Sequence, residues 1–249
     1  MSTRTIALPV VGVLGGMGPE ATVEFMRRVI ATTPADDDTD HIHMLVEHNP
    51  KVPSRIAALI EKTGDDPSSE LIAMARRLEA GGAGLLAMPC NTAHAYAGAI
   101  RGAVAIPLLD MVSLTADRVS RMMLEHRRVG MLASTAVRSL GLYERVLMPL
   151  GIAVVYPEDQ ASVMRIIKAL KRGDSGADQR RQLSAIATDL MGCKCDLLMI
   201  ACTELSVLAD SLDDAAAMLD TLDVLVEEVV ACGLGSRAIP LSVRTGTAG

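Results

Sequence analysis

The chain has 249 residues, of which 50% are apolar and only 2% aromatic, and it carries a formal net charge of −6. This acidic balance and the scarcity of rings for base stacking argue against nucleic-acid binding. No apolar run reaches the length of a membrane span, and the short run near the start is expected to be a first strand rather than a signal peptide, so we expect a cytoplasmic protein.

The five cysteines are odd in number and irregularly spaced, which predicts free thiols rather than a disulfide framework. An alternative to free thiols is a metal site with Cys193, Cys195 and Cys232 as ligands. No second C-x-x-C or H-x-x-x-H pair accompanies them, however, and we expect no metal.

In chain order, apolar runs of strand length alternate with amphipathic helical stretches. Strands are predicted at PVVGVLG, IHMLVEH, GLLAMPC, RRVGMLAS, IAVVYP and CDLLMIAC. Helices are predicted at EATVEFMRRVIATT, SRIAALIEK, SELIAMARRLEAGG and residues 163–171, 178–191 and 212–234. Such alternation indicates βαβ units with parallel sheets, so the predicted fold class is α/β.

The two halves of the chain resemble each other. Each opens a strand with V-G-x-L, and in each a later buried strand that begins Leu-Leu ends in a cysteine, with threonine close behind. Cys90 follows Gly12 by 78 residues, and Cys202 follows Gly130 by 72. The pattern predicts duplicated lobes. The alternative is that buried parallel strands look alike because all are rich in Val and Leu.

The predicted domain organisation follows from this repeat. Residues 1–110 form the first α/β lobe and residues 111–211 the second, the helix at 212–234 crosses back onto the first lobe, and residues 235–249 form a flexible tail. Ligands of open parallel sheets bind beyond the carboxyl ends of the strands. If the lobes face each other about a pseudo-twofold axis, the two strand-end cysteines approach one cleft from opposite sides.

A glycine-rich segment, GGMGPEAT at residues 15–22, follows the first strand and opens a helix. Its backbone N–H groups and the helix dipole suit a carboxylate or a phosphate. The segment also meets a loose dinucleotide-binding pattern, with Glu47 as the ribose acid, but Pro19 stiffens the turn and the spacing to Glu47 is too long. Alternatively, the glycines serve only a tight turn.

The segment MPCNTAH places Cys90 at a strand end with a helix starting behind it, where a thiol is expected to have a lowered pKa. Asn91 and Thr92 add hydrogen-bond donors for a bound anion. His94 is the alternative base, which would activate Cys90 as the nucleophile of a thiol hydrolase. No acid partner for His94 is identifiable, and a helical histidine is more often structural.

The segment ACTE repeats this arrangement around Cys202 and Thr203. A single cysteine at a strand end is most simply a small buried hydrophobic residue, whereas two in matching contexts indicate a function. Arg55, in a proline-bounded loop after the second strand, suits bidentate recognition of a carboxylate. Lys171 ends a helix, where it also complements the helix dipole.

These residues resemble the aspartate/glutamate racemase superfamily, and most closely its aspartate racemase branch. The resemblance covers essentially the whole chain, through VGVLGGMGPEAT, HNPKVPSR, MPCNTAH, the K-x-G after the second-lobe helix, ACTELSV and MLDTLDVL. It implies two pseudo-symmetric lobes, a homodimer, a small acidic amino-acid substrate, and no pyridoxal phosphate, metal or other cofactor.

The resemblance also implies residue roles. Cys90 and Cys202 match the catalytic cysteines. The positions implied to hold the α-carboxylate are Met17, Asn91, Thr92 and Thr203. Arg55 and Lys171 match the positions that engage an acidic side chain, with Lys168 a rival to Lys171 because the alignment there needs a one-residue gap. Ala201 and Lys51 depart from the usual family residues, which affects the substrate more than the chemistry.

The expected function is cofactor-independent interconversion of L- and D-aspartate. One thiolate removes the α-proton from one face while the other thiol donates a proton to the opposite face. A thiol, with a pKa of about 8.5, is far more acidic than that proton, so the site must stabilise the carbanion. The alternatives are a racemase of glutamate or broader specificity, a dicarboxylic-acid isomerase or decarboxylase, and a non-catalytic binding protein for acidic ligands.

Overall fold

Two parallel sheets organise the protein, which a computed structural model describes for residues 8–212 and 217–240. The first has the order β2-β1-β3, with β1 (Val11–Gly15), β2 (Met44–His48) and β3 (Leu85–Ala87). The second has the order β5-β4-β6-β7, with β4 (Arg128–Ala133), β5 (Ala153–Val155), β6 (Leu197–Ala201) and β7 (Met218–Asp220). All these strands pair in parallel, which confirms the predicted α/β class.

Helices flank both sheets. They are α1 (Pro19–Thr32), α2 (Ser68–Ala80), α3 (Ala97–Ala103), α4 (Met111–Ser120), α5 (Thr135–Leu140), α6 (Glu144–Leu147), α7 (Gln160–Leu170), α8 (Ala177–Gly192) and α9 (Thr221–Gly233). Short 3₁₀ segments include Thr92–Tyr96 and Leu205–Ser211, and the helix predicted at SRIAALIEK is a π-helical turn, Ala57–Glu61. In the part of the chain that the structure describes, no helix has both the length and the apolarity to cross a membrane.

The same strand order appears in both sheets. The first strand of each half, β1 or β4, is central, and it is flanked by the second strand and by the strand that leads to a cysteine. Strands β1 and β6 are buried along their whole length, which explains why their sequences are continuous apolar runs rather than alternating ones. The internal resemblance of the sequence therefore corresponds to a repeated sheet topology, with β7 as an addition to the second sheet.

Helix α9 packs against the first sheet although its chain segment follows the second one. Its Leu225 and Val229 join a buried cluster with Phe25 of α1 and with Val11 and Val13 of β1. Val224 of the same helix joins the buried cluster of the second sheet, with Met199 of β6 and Leu219 of β7, so α9 contacts both halves and the division of the chain into lobes stays a prediction. Burial of such a cluster contributes roughly 1.5–3 kcal/mol for each large apolar side chain.

The start of the last helix differs from the prediction of a helix over 212–234. Residues 218–220 form β7, which pairs with β6, and α9 begins only at Thr221. The Asp220 side chain accepts a hydrogen bond from the backbone N–H of Leu222, so an N-cap sets this helix start. Residues 213–216 lie outside the described part of the chain.

The predicted tail, residues 235–249, is described only in its first part. Arg237 forms an ion pair with the buried carboxylate of Glu228 on α9, so the chain remains anchored at that point. Residues 241–249 lie outside the described residues.

Arg28 of α1 ties the segment after β6 to the first lobe. Its guanidinium donates to the carboxylates of Glu24 and Asp220, each at 2.6 Å, and to the Ser206 carbonyl at 2.6 Å. Asp220 is buried, and an unpaired buried carboxylate is costly. This contact therefore helps to hold Ser206 and the last residue of β7 against α1.

Candidate active site

A pocket lies at the carboxyl ends of the two sheets, in the cleft between them. It is lined by all eight residues that the sequence predicts for the site: Met17, Arg55, Cys90, Asn91, Thr92, Lys171, Cys202 and Thr203. Five further lining residues were not among those predicted for the site: Ser54, Ile56, Ser134, Ile167 and Glu204. Most of these side chains follow directly on β1, β3, β4 or β6, which is why distant parts of the chain meet here.

The glycine-rich loop brings Met17 to the cavity. Gly16 has a φ of +89°, and a Cβ there would approach the Asn49 backbone to 2.3 Å, so no side chain fits. The Gly16 N–H donates to the Thr22 hydroxyl at 2.8 Å, and that hydroxyl donates to the Gly18 carbonyl at 3.0 Å. Gly16 is thus needed for the turn itself.

The dinucleotide interpretation of this loop finds no support at Glu47. The Glu47 carboxylate accepts a hydrogen bond from Nε of Arg77 on α2 at 3.0 Å. It is therefore engaged inside the first lobe rather than available as a ribose ligand.

Cys90 and Cys202 are both free and buried thiols, each 6% exposed. Cys202 is the first residue after β6, whereas Cys90 follows β3 by three residues, after a turn in which its N–H donates to the Met88 carbonyl at 2.8 Å. Both cysteines line the same cavity, Cys90 after the first sheet and Cys202 after the second.

The Cys202 thiol is paired with a carboxylate. Its Sγ donates to Oε2 of Glu204 at 3.2 Å, and Oε1 of Glu204 lies 3.4 Å from Nζ of Lys171. Burial raises the pKa of Cys202 well above its ordinary value, and the Glu204 carboxylate adds to the increase, while Lys171 opposes it. The pKa of Cys202 thus differs from the lowered thiol pKa that the sequence predicts for Cys90 in the matching segment.

His94 is bound to the backbone around Cys90. Its Nδ1 lies 2.9 Å from the Cys90 carbonyl oxygen, and its Nε2 accepts the N–H of Met111 at 3.1 Å. An Nε2 acceptor leaves the proton on Nδ1, which donates to the carbonyl. Burial lowers the pKa of His94, so the ring is neutral. The alternative of His94 as the base that activates the Cys90 thiol is not supported, because both ring nitrogens have other partners.

The side chains of Asn91 and Thr203 are hydrogen-bonded within the protein. Asn91 accepts a hydrogen bond from the Tyr143 hydroxyl at 2.5 Å and donates to the Thr221 hydroxyl at 3.1 Å. The Thr203 hydroxyl donates to the Pro89 carbonyl at 3.1 Å. Both residues line the cavity, but these contacts direct their polar atoms toward the opposite lobe.

Two hydroxyl groups, those of Thr92 and Ser134, lie 3.4 Å apart on the cavity wall. Thr92 follows β3 and Ser134 follows β4, so the two lobes contribute one hydroxyl each. Ser134 also caps α5 by accepting the N–H of Val137 at 3.4 Å. This pair provides hydrogen-bond donors at the meeting point of the sheets.

The cationic groups of the cavity are Arg55 and Lys171, which face a single lining carboxylate, Glu204. The Arg55 guanidinium donates to the carbonyls of Val52 and Pro53 at 3.3 and 3.0 Å, which holds it against its own loop. A formal excess of one positive charge favours a ligand with a net negative charge.

Lys168, the sequence-based rival of Lys171, lies elsewhere. It is exposed and lines a groove between α7 and α8 together with Arg165 and Arg172. Lys171 lies at the end of α7, one turn further on, where the helix meets the cleft. The structure thus places Lys171, and not Lys168, in the cavity wall.

The other cysteines are remote from this chemistry. Cys193 is exposed, and Cys232 donates to Glu228 on α9 at 3.8 Å. Among residues 8–212 and 217–240, no three His, Cys, Asp or Glu side chains are grouped so that they could hold a metal ion.

Comparisons with known proteins agree on a racemase family. A family model described as Asp/Glu/Hydantoin racemase matches residues 14–229. A broad specificity amino-acid racemase, RacX, from Bacillus subtilis (strain 168) is 26% identical over 225 residues, which are 88% of this chain and 96% of that protein.

Solved structures share the architecture. The aspartate racemase of Picrophilus torridus superposes with a TM-score of 0.83 at 28% identity, over 90% of this chain and 94% of that one. A glutamate racemase from Francisella tularensis, solved with D-glutamate, has a TM-score of 0.63 at 14% identity, over 95% of this chain and 85% of that one. The second likeness concerns the fold alone.

Proposed function

The chain belongs to the Asp/Glu/Hydantoin racemase family and is an isomerase of the racemase type. From this premise we propose that it interconverts L- and D-aspartate, with Cys90 and Cys202 as its acid/base pair. One observation carries the proposal. Two buried free thiols, one from each sheet, line the same cavity at equivalent strand ends. A racemase needs groups on both faces of the α-carbon, and this arrangement supplies one group from each lobe.

The proposed reaction transfers one proton on each face. The thiolate of one cysteine takes the α-proton, an S–H bond forms, and the electron pair of the broken C–H bond stays on the substrate as a carbanion. The other thiol then gives its proton to the opposite face of Cα and becomes a thiolate. After one turnover the protonation states of the two cysteines are exchanged, and the reverse reaction uses them in the opposite roles.

The pKa of Cys202 bears on the order of these steps. Burial and the Glu204 carboxylate raise that pKa, so this thiol is suited to donate its proton. In the proposed cycle Cys202 is therefore the donor for the enantiomer whose α-hydrogen faces Cys90.

Carbanion formation requires strong stabilisation of the substrate carboxylates. We assign the side-chain carboxylate to Arg55 and Lys171, the two cations of the cavity. We assign the α-carboxylate to the hydroxyls of Thr92 and Ser134 and to backbone N–H groups of the loops at Met17, Asn91 and Thr203. The side chains of Asn91 and Thr203 keep their partners within the protein. Such donors are effective in a water-poor cleft, where charge interactions are stronger than in bulk water.

An acidic substrate such as aspartate is supported by the cations of the cavity. Aspartate, like glutamate, carries two carboxylates and one ammonium group, and Arg55 and Lys171 suit its side-chain carboxylate. The 28% identical aspartate racemase of Picrophilus torridus supports the same substrate. Activity without pyridoxal phosphate or metal, a homodimeric assembly and a cytoplasmic location stay predictions from the family resemblance.

Broader specificity is the second candidate, and a neighbouring cavity favours it. This cavity, of about 470 Å³, shares Lys171 and Glu204 with the first and is lined by apolar groups that include Leu170 and Val207. A rotation of the Lys171 side chain would join the two spaces and admit a longer substrate side chain. The broad specificity of the 26% identical Bacillus subtilis relative agrees with this candidate.

A chiral assay without added cofactor tests the proposal. The purified protein is incubated with each enantiomer of aspartate, glutamate and neutral amino acids, and both enantiomers are quantified. Aspartate is expected to be racemised fastest, and Arg55→Leu is expected to lose activity on acidic substrates only. Faster turnover of longer or neutral amino acids by the wild-type protein would establish the second candidate instead.

A further inference from the structure

Two buried hydrogen-bonded connections join the loop of Cys90 to the strand end of Cys202. In the first, the Thr203 hydroxyl, one residue after Cys202, donates to the carbonyl of Pro89, one residue before Cys90. In the second, Asn91, one residue after Cys90, donates through its amide to the Thr221 hydroxyl at 3.1 Å. That hydroxyl donates in turn to the carbonyl of Ile200, two residues before Cys202, at 2.9 Å.

Tyr143 fixes the orientation of the amide in the second connection. Its hydroxyl donates to Oδ1 of Asn91 at 2.5 Å, which leaves the amide nitrogen pointing at Thr221. Burial raises the pKa of Tyr143, so the phenol keeps the proton that it donates. Tyr143 and Thr221 are both completely buried, and Asn91 is 2% exposed. The Asn91 amide therefore donates one hydrogen bond and accepts one in defined directions, and the Thr221 hydroxyl does the same.

Neither residue belongs to the cavity wall. Tyr143 lies between α5 and α6, and Thr221 is the first residue of α9, whereas the cavity is lined by residues of other segments. Contact with the substrate is therefore not their role. Their hydroxyls reach the site only through the amide of Asn91 and the Ile200 carbonyl.

We propose that Tyr143 and Thr221 are positioning residues for the racemisation, which act through Asn91 to set the place of the Cys90 thiol relative to the Cys202 thiol. This inference rests on the proposed two-thiol function. A proton transfer on each face of one carbon requires both sulfurs to lie near the line through that carbon. A displacement of about 1 Å in such an arrangement can cost roughly 100-fold in rate, even when the binding groups stay in place.

The experiment uses full-length variants that remove one hydroxyl each. Thr221→Val and Tyr143→Phe keep the side-chain volume, and Thr221→Ser restores the hydroxyl of Thr221. Thr33→Val is the matched control, because the Thr33 hydroxyl is also buried and donates to a backbone carbonyl, that of Val29, far from the cleft. For each variant, kcat and KM are measured in both directions with the best substrate of the wild-type protein, together with the thermal unfolding midpoint.

A positioning role predicts a specific combination of results. Thr221→Val and Tyr143→Phe are expected to lower kcat by roughly 10- to 100-fold with KM nearly unchanged. Their kinetic isotope effect with Cα-deuterated substrate is expected to increase, because proton transfer becomes more rate-limiting. Thr221→Ser is expected to recover most of the rate, and Thr33→Val to lose stability without a change in kcat.

Two outcomes overturn the inference. One is a wild-type kcat and isotope effect in both Thr221→Val and Tyr143→Phe, with both thiols essential in the wild-type protein. The other is a loss of rate that only follows the fraction of unfolded protein, as judged from the control. A wild-type protein that racemises no amino acid, or that keeps its activity without either thiol, overturns the proposed function itself and this inference with it.

Discussion

Oε2 of Glu204 lies 3.2 Å from the sulfur of Cys202, and Oε1 of the same carboxylate lies 3.4 Å from Nζ of Lys171. One buried carboxylate thus contacts both a candidate proton donor and a candidate substrate-binding cation. The thiol donates a hydrogen bond to one carboxylate oxygen and the ammonium group forms an ion pair with the other, so both oxygens have a partner. Glu204 therefore links the protonation of Cys202 to the position of Lys171.

Replacing the carboxylate is expected to make Cys202 more acidic. In Glu204→Gln the negative charge that helps to keep the proton on the thiol is gone, so the pKa of Cys202 falls, although burial still holds it up. The measurement is the pH dependence of Cys202 alkylation by iodoacetamide, followed by peptide mass spectrometry. The midpoint is expected at lower pH in Glu204→Gln, with Glu204→Asp as the charge-preserving control. An unchanged midpoint would show that Glu204 does not act on this thiol.

Each thiol of the pair is expected to be essential. Cys90→Ala and Cys202→Ala are both expected to reduce racemisation at least about 100-fold, because each removes one of the two proton-transfer groups. In heavy water the wild-type protein is expected to incorporate deuterium at Cα of both enantiomers. Cys193→Ala, which removes an exposed thiol, is the control and is expected to keep full activity. Substantial racemisation by either alanine variant of the pair contradicts a two-base mechanism.

Substitutions of Lys171 and Lys168 are expected to have different effects on substrate binding. Lys171→Met removes a cation from the cavity and is expected to raise the KM for aspartate by roughly 10- to 100-fold, the effect of losing a hydrogen bond to a charged group. Lys168→Met changes an exposed residue outside the cavity and is expected to leave KM unaltered. Steady-state kinetics on both variants decide between them, and a stronger effect at Lys168 would reverse the assignment.

His94 is expected to make stability depend on pH. Its pKa is lowered in the folded protein, so its contribution to stability is fully present above the ordinary histidine pKa of 6.5 and is lost as the pH falls below that value. His94→Gln is expected to unfold about 1–3 kcal/mol more easily above that pH, because the Cys90 carbonyl and the Met111 N–H lose their partner. Urea denaturation on both sides of that pH provides the measurement.

Comparing the wild-type protein with His94→Gln separates the effect of His94 from that of other titrating residues. The difference in unfolding free energy between wild type and His94→Gln is expected to shrink as the pH falls. A difference that stays constant across the histidine range would mean that His94 does not remain neutral in the folded protein.

The strand pattern and the two cysteines could be predicted because they depend on local information. Buried parallel strands have continuous apolar runs, and the strand-end positions of Cys90 and Cys202 follow from those runs. Strand β7 could not be predicted in this way. Its three residues pair with β6 only once the second sheet has formed, and in the sequence they look like the beginning of the following helix.

The hydrogen-bond partners of the site residues could not be predicted from the sequence, for a physical reason. Tyr143 and Asn91 are separated by 52 residues, and Asn91 and Thr221 by 130, so only the tertiary fold brings them together. Glu204 was visible in the motif that contains Cys202, but its effect on the thiol pKa depends on burial, which the motif does not encode. Similarly, the ring of His94 was visible, but its backbone partners were not.

The repeated strand order has a consequence for stereochemistry. An enantiomer and its mirror image differ in which face of the α-carbon bears the hydrogen, and each of the two related sheets leads to one cysteine that lines the cavity. In the proposed reaction, each enantiomer is therefore deprotonated by the cysteine of a different lobe. Substitutions confined to the second lobe, around Cys202 and Glu204, should change kcat unequally for the two enantiomers, with matching changes in KM, because the equilibrium between free enantiomers stays at one.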